Sequence, residues 1–376
     1  MKITCTQENL NNGFLVTGHL VNKNVNLPIL NNVLLEIKNG NLRLSTTNLE
    51  IGISCIVRGK VESDGVFTVE AKLLTDYINL LPKENVDIEL VKDDYLNVKC
   101  KNNNTRVKGI PADDFPVIPQ IDKVDPYRIN IKDFKKAISQ VIFSVSTNET
   151  RPEISGVFLS FADGDANNLT MVSTDSYRLA EKKMKIDGNT NKKSVIVPVK
   201  TLQEIVRILG VIKDQTEAPE TLDIYLSENQ ILFVIDGIEV ISRLIEGQYP
   251  DYKQIIPKNP TTEVMVNTQE LTKVIKTTAL FSKTGIFDIN LEFIPENKSL
   301  VISSNNIQVG ESVSEIDVQF TGEKNRTTLN YRFLLDVLSN LESPDINLSI
   351  VDSNIPCLIK PNKDDSYLYI IMPIKQ

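Results

Sequence analysis

The chain has 376 residues, with 41 Lys and Arg against 49 Asp and Glu and a single His, for a formal net charge of −8. That length accommodates two to four ordinary domains, and the acidic balance argues at first sight against a partner as negative as nucleic acid. No run of about 18 apolar residues is present to span a membrane, and no long apolar stretch follows Lys2 as in a signal peptide. The four cysteines, Cys5, Cys55, Cys100 and Cys357, stand apart. Such spacing fits a reduced cytoplasmic protein better than a disulfide or zinc framework. With only His19 available, His-based metal centres and a Ser-His-Asp triad are nearly excluded. The phosphate-cradling patterns G-x-x-x-x-G-K-[ST] and G-x-G-x-x-G are absent, so neither metal nor cofactor is expected.

In chain order, Leu10 and Phe14 mark a first helix. Residues 34–45 then read as strand, Asn-Gly turn, strand. A second helix follows over 69–81, with Leu74, Tyr77, Ile78 and Leu81 at i, i+3, i+4, i+7. A hairpin spans Val86–Lys99. The same order then recurs. Phe134, Ile138, Val141, Ile142 and Val145 form the first-helix stripe of a second copy, and Phe158 to Val172 its hairpin. Leu202, Ile205, Val206 and Leu209 are its second-helix stripe, and Thr221–Ile235 its later hairpin. A third copy offers Leu271 and Ile275, the pair of strands from Ile289 to Ile302, the stripe Leu334, Val337, Leu338 and Leu341, and the hairpin Ile346–Ile359. Asn267 reads as a helix N-cap, with Glu270 as its capping-box acid. The second helices are offset by 128 and then 132 residues. This is a threefold repeat. Proline and charged residues cluster at Asp122–Pro126 and Ile256–Pro260, which predicts domains 1–124, 125–257 and 258–376. Each is an α+β domain of antiparallel sheets with two helices on one face.

A basic residue stands two places before the first Leu of each second-helix stripe: Lys72, Lys200 and Arg332. Lys136 and Lys273 lie off the apolar stripes of the first helices. A lone basic residue on an amphipathic helix is usually just solvated; the same sign at matched positions of three copies points to a surface tracking phosphates without reading sequence. Scarce aromatics and the lack of Trp argue against a base-stacking single-strand binder. Paired carboxylates at Asp113 and Asp114, Asp163 and Asp165, and Asp364 and Asp365 are the material for a metal-dependent nuclease, but they fall in predicted turns, where Asp serves the backbone. A β-rich scaffold that binds only proteins is the third reading, and the repeated basic positions count against it.

Several segments carry a resemblance to a known family. They are Leu27-Pro-Ile-Leu-Asn-Asn, Gly109-Ile-Pro-Ala-Asp-Asp-Phe-Pro, Glu149-Thr-Arg-Pro-Glu-Ile-Ser-Gly-Val and Ser173-Thr-Asp-Ser-Tyr-Arg-Leu-Ala. Val195-Ile-Val-Pro, Gly247-Gln-Tyr-Pro-Asp-Tyr-Lys-Gln-Ile-Ile-Pro and Tyr367-Leu-Tyr-Ile-Ile-Met-Pro-Ile complete the set. In this order and spacing the whole chain resembles the bacterial sliding clamp, the beta subunit of DNA polymerase III. The resemblance implies a non-catalytic processivity factor: a head-to-tail homodimer forming a six-domain ring that encircles duplex DNA and tethers the replicative polymerase. It also implies a clamp loader and other clamp-binding proteins as partners.

Site residues follow from the same resemblance. The partner-peptide groove would draw on Ile154, Thr174, Ser176, Tyr177, Arg178 and Leu179 of the second copy, with Pro250, Gln254 and Ile255 closing it. Asn330, Phe333, Met372, Pro373 and Ile374 of the third copy would complete it. Adaptable Met and rigid Pro suit a groove with many clients. Tyr177 and Gln254 depart from common family residues, Gln254 standing for a frequent Arg. Lys23 and Arg151 join Lys72, Lys136, Lys200, Lys273 and Arg332 as DNA contacts, with Asn24 beside Lys23 weakening the contact there. For the subunit interface, the strand carrying Thr105 and Val107 should meet Leu280 and Phe281. Thr105 stands where an aromatic is frequent.

Overall fold

The computed structural model describes residues 1–21, 26–91, 94–148, 150–165, 167–213 and 218–375. Lys23 and Asn24 therefore lie outside the described residues. Six α-helices occur among them: α1 Gln7–Thr17, α2 Ala71–Leu80, α3 Ile131–Val141, α4 Val199–Ile212, α5 Thr268–Thr278 and α6 Tyr331–Ser339. They fall on the predicted stripes. Leu10, Phe14, Phe134, Ile138, Leu271 and Ile275 of the first helices are fully buried, as are Leu74, Leu202 and Leu334 of the second. Each such side chain stabilises the fold by about 1.5–3 kcal/mol through the apolar area it removes from water. The side chain of Asn267 accepts hydrogen bonds from the backbone N–H of Gln269 and Glu270, capping α5. Asn330 caps α6 in the same way through Arg332 N–H. The stripe from Phe134 to Val145 is helical only to Val141; a 3-10 turn, Ile142–Ser144, takes over there.

The chain divides into two compact units. The first comprises residues 1–132, 186–189 and 200–244, and holds α1, α2 and nearly all of α4. Its sheet is antiparallel and has 14 strands. Asn32–Lys38 and Asn41–Thr47 form its clearest hairpin. The turn residues Asn39 and Gly40 both take positive φ, 53° and 78°, as a two-residue hairpin loop matched to strand twist requires. One seam crosses from the first copy into the second: Ile51–Val57 pairs with Ile238–Arg243, with Ile53 opposite Val240. Beside this seam α4 is tied to α1. Arg207 donates to the carbonyls of Leu15 and Val16 at 2.7 and 2.6 Å and pairs with Glu204 at 2.8 Å. Glu204 also meets Nδ1 of His19 at 2.7 Å, so the lone histidine has a structural contact.

The second unit comprises residues 133–185, 190–199 and 245–376 and holds α5, α6 and α3 from Asp133 onward. It contains a nine-stranded and a four-stranded antiparallel sheet. The nine-stranded sheet has its own seam, Arg178–Lys185 against Tyr367–Ile371, which joins the second copy to the third. In both units a backbone ladder runs through the boundary between copies.

Open edges are managed unevenly. Lys193–Pro198 and Asn325–Asn330 each pair on one side only, but receive backbone hydrogen bonds from Ile245 and Ile374 respectively. Two longer stretches keep a free side among the described residues. Residues 103–108 of the strand Asn103–Ile110 pair only with Tyr95–Cys100, and Gly310–Asp317 pairs only with Ser299–Asn306. The four cysteines are free and buried, and no described helix is long and apolar enough to cross a membrane.

Candidate functional site

A small concave site of about 140 Å³ lies wholly within the second unit. Its floor belongs to an apolar cluster that includes Ile154, Leu179, Tyr252 and Ile370, with Tyr249 stacked on Phe158 at 4.9 Å behind it. Of the fourteen groove candidates, the structure gathers Ile154, Thr174, Ser176, Arg178, Leu179, Pro250, Ile255 and Met372 around this one cavity. Arg151, Asp251, Tyr252 and Ile370 line it as well. Ile255 and Met372 are half-exposed at the mouth, the position from which apolar anchors act.

Local hydrogen bonding explains why the wall stands where it does. Asp175 Oδ1 accepts from the backbone N–H of Tyr177 and Arg178, bending the chain so that Ser176 sits at φ 78°. The turn throws Tyr177 outward, 66% exposed, and places it beside the cavity instead of in its lining. Arg178 turns inward. It pairs with Asp175 at 2.9 Å and with Asp336 of α6, and donates to the carbonyl of Phe143 at 2.7 Å. Its guanidinium lies 4.4 Å from the centroid of Phe333, a cation–π contact. Phe333 thus supports the site from below. Asn330 is the α6 N-cap. Met372 and Ile374 hold the tail in place by donating their backbone N–H groups to Tyr177 and Thr328. Pro373 lies between them.

The opposite rim, Pro250–Ile255, is fastened by charge. Gln254 donates to Asp251 at 2.7 Å, and Lys253 reaches Asp163, which also binds Lys192 at 2.7 Å. Hydrogen bonds from Lys192 and Lys253 hold the Asp163 carboxyl below its ordinary range. Tyr252 donates to the buried Glu181 at 2.6 Å. Burial and that hydrogen bond push the phenol well above its usual value, so it stays a donor at any physiological pH.

The basic candidates fall elsewhere, with one exception. Lys72, Lys200 and Arg332 are each the second residue of α2, α4 and α6, and all three are exposed. Lys136 on α3 and Lys273 on α5 are exposed too. The Arg332 guanidinium lies 3.5 Å from the centroid of Phe287. Arg151 is the exception: it lines the cavity, donating to Ser176 at 2.9 Å and pairing with Glu153 at 3.0 Å. Among the interface candidates, Leu280 is 74% exposed, Phe281 is partly buried and the Thr105 hydroxyl donates to Tyr77 of α2. Val107 packs its side chain in the core of the first unit and presents its backbone at the open edge of its strand. The reason is strand alternation between the charged, outward Arg106 and Lys108. Lysines or backbone N–H groups engage Asp163, Asp165, Asp364 and Asp365, Asp113 and Asp114 sit in a 3-10 turn, and no described group of three or more His, Cys, Asp or Glu could hold a metal.

Three family models, together spanning nearly the whole chain, match it: DNA polymerase III beta subunit, N-terminal domain, over residues 1–119; central domain, over 128–251; and C-terminal domain, over 253–375. The beta sliding clamp of Bacillus subtilis is 28% identical, with all of both chains covered. That of Staphylococcus epidermidis is 26% identical, covering 100% of this chain and 99% of its own. Among solved structures, the Bacillus subtilis sliding clamp superposes with a TM-score of 0.92 at 27% identity, over 100% of this chain and 99% of its own. The Thermotoga maritima beta subunit gives 0.90 at 27%, with the same coverage. A Pseudomonas aeruginosa sliding clamp solved with griselimycin bound gives 0.92 at 26%, over all of both chains.

The charge clamp on the groove rim has a pH signature. Because the folded pKa of Asp163 is depressed, the stability it contributes is complete above about pH 4 and is lost as pH falls through the lowered value. Urea unfolding between neutral pH and pH 2 should therefore show a shallower acid loss of stability in Asp163→Asn than in the parent. Identical pH profiles would remove the clamp from this account.

Proposed function

The chain belongs to the DNA polymerase III beta-subunit family, the DNA sliding clamps, and we propose that two copies of it close head to tail into a ring around duplex DNA. It is a processivity factor and not a catalytic subunit. Its three domains are bounded near residues 124 and 257. Its effect is topological: a polymerase tethered to a ring on its template meets that template at high effective concentration and need not rebind.

The observation that carries the ring is the character of the two open edges. On the strand Asn103–Ile110 the exposed side chains include Asn104, Arg106 and Lys108; on Gly310–Asp317 they include Glu311, Val313, Glu315 and Asp317. One edge is basic and the other acidic. Unlike edges attract and like edges repel, which favours a head-to-tail contact over its symmetric alternatives. The repeat adds a second argument. Leu73 and Leu80 of α2 are exposed, whereas their counterparts on α4, Thr201 and Ile208, are buried. α1 packs on α2 and is tied to α4 through Arg207; the outer face of α2 with Leu73 and Leu80, and the exposed Leu280, are left for another subunit, with Thr105 and Phe281 beside them.

Within this reading Lys72, Lys136, Lys200, Lys273 and Arg332 face the phosphates, with Lys23 as a further candidate. The cavity between Arg151 and Met372 takes short peptide segments of the replicative polymerase, the clamp loader and other clients. Ile154, Leu179 and Met372 receive their apolar anchors, and Arg151 joins the groove instead of the DNA face. The buried, unpaired cysteines support a cytoplasmic setting.

Two outcomes test this. Loaded on nicked circular DNA, the protein should persist at salt that strips ordinary DNA binders and leave once the circle is cut to a linear form. Equal loss from both forms contradicts encirclement. For the groove, Met372→Ala should weaken binding of a polymerase-derived peptide at least about fivefold, near 1 kcal/mol, without changing the dimer's mass. Unchanged affinity removes Met372 from the site.

A further inference from the structure

Glu342 stands on the cationic side of the second unit, where a carboxylate opposes the proposed function. An open groove of about 820 Å³ runs between α5 and the end of α6. Lys273 and Lys276, one helical turn apart, line it together with Thr272 and Thr277, and Glu342 forms part of the opposite wall. Lys136 of α3 reaches across to Glu342, with Nζ 2.5 Å from Oε2. Among the described residues, Lys136 alone of the five lysines on α3 and α5 (Lys132, Lys135, Lys136, Lys273 and Lys276) is held in an ion pair. The hydrogen bond and charge of Lys136 keep the Glu342 carboxyl below its ordinary range, so Glu342 is a carboxylate at neutral pH.

Both partners are substantially exposed. A pair of this kind contributes little to fold stability, and the packing of α3 and α6 does not depend on it. Its consequence falls on an approaching polyanion. Before a phosphate can use Lys136 it must displace a carboxylate, and Glu342 then remains as a like charge on the wall of the groove lined by Lys273 and Lys276. A ring that retains DNA by topology gains nothing from a strong grip. Each persistent lysine–phosphate contact must break at every step along the helix.

We propose that Glu342 is a counter-charge that withholds Lys136 from the phosphate backbone and so weakens the grip of the ring on the DNA it encircles. The role rests on the encirclement reading above and adds to it the residue that limits affinity. The nearly isosteric Glu342→Gln removes the charge and leaves the side-chain volume in place.

The test uses the full-length dimer and a short, fluorescently labelled duplex, with binding followed by anisotropy from low to physiological salt. Glu342→Gln should bind severalfold more tightly at low salt. Its plot of log affinity against log salt should steepen by about 0.9, the value of one added phosphate contact. In a Lys136→Ala background the same substitution should steepen the plot much less. An unchanged slope in the otherwise native chain overturns the proposal. So does an equal effect with and without Lys136, since the charge would then act without withholding that lysine. Retention on nicked circles, measured on the same preparations, separates the two levels. If the parent protein is retained while the slopes agree, only the role of Glu342 falls. If the parent protein is not retained on circles, the encirclement reading falls and takes this role with it.

Discussion

Backbone hydrogen bonding between strands is the constraint from which the rest of this molecule follows. A strand edge with unpaired N–H and C=O groups invites another strand, and this chain answers that demand by running its sheets through the boundaries between repeat copies. Ile51–Val57 finds Ile238–Arg243 in one unit, and Arg178–Lys185 finds Tyr367–Ile371 in the other. Each seam fuses a piece of the second copy to a neighbour, so the compact units do not coincide with the copies. The strands left open, around Thr105 and Val313, belong to the first and third copies. A chain of three similar domains has two internal junctions, and the proposed ring adds a third of the same kind between chains.

The proposed partner groove depends on the second of those seams. Leu179 and Ile370 face the same cavity because their strands are paired. Arg178, at the start of that pairing, ties the site to α6 through Asp336 and Phe333 and to the end of α3 through Phe143. The groove therefore stands on packed elements, and its outer rim, Pro250–Ile255, is anchored by the buried Tyr252 and by loop contacts such as Lys253 with Asp163. A rigid floor with a flexible Met at the mouth suits the proposed site for several partners.

The net charge of −8 reads differently with the structure in hand. It is a sum over patches of opposite sign. The exposed lysines of the helices and the basic strand edge stand against acidic residues elsewhere, including Glu311, Glu315 and Asp317. An overall negative charge weakens long-range attraction to a polyanion without excluding one held through local basic groups or by closure. What bears on function is how the charge is distributed.

The helices were legible in the sequence because their signal is local. Apolar stripes at Leu74 or Phe134 and caps such as Asn267 need no distant partner to be recognised, and the Asn39-Gly40 hairpin is of the same kind. The seams were not legible, since nothing local in Ile51–Val57 names Ile238–Arg243 as its neighbour. The same holds for Arg178, whose partners Phe143 and Asp336 lie 35 and 158 residues away. Arg151 lines the cavity through its hydrogen bond to Ser176, a contact that exists only once the turn at Asp175 has formed and that no local pattern announces. Burial of Val107 could have been read in advance from its place between Arg106 and Lys108. The most direct measurement of the central claim is oxidative cross-linking of a chain carrying Thr105→Cys and Val313→Cys, one on each open edge, with the native cysteines buried. Head-to-tail closure predicts a single covalent species near twice 42.2 kDa, trapped on circular DNA under denaturing conditions; a chain that stays monomeric, or forms a ladder of ever larger oligomers, would contradict it.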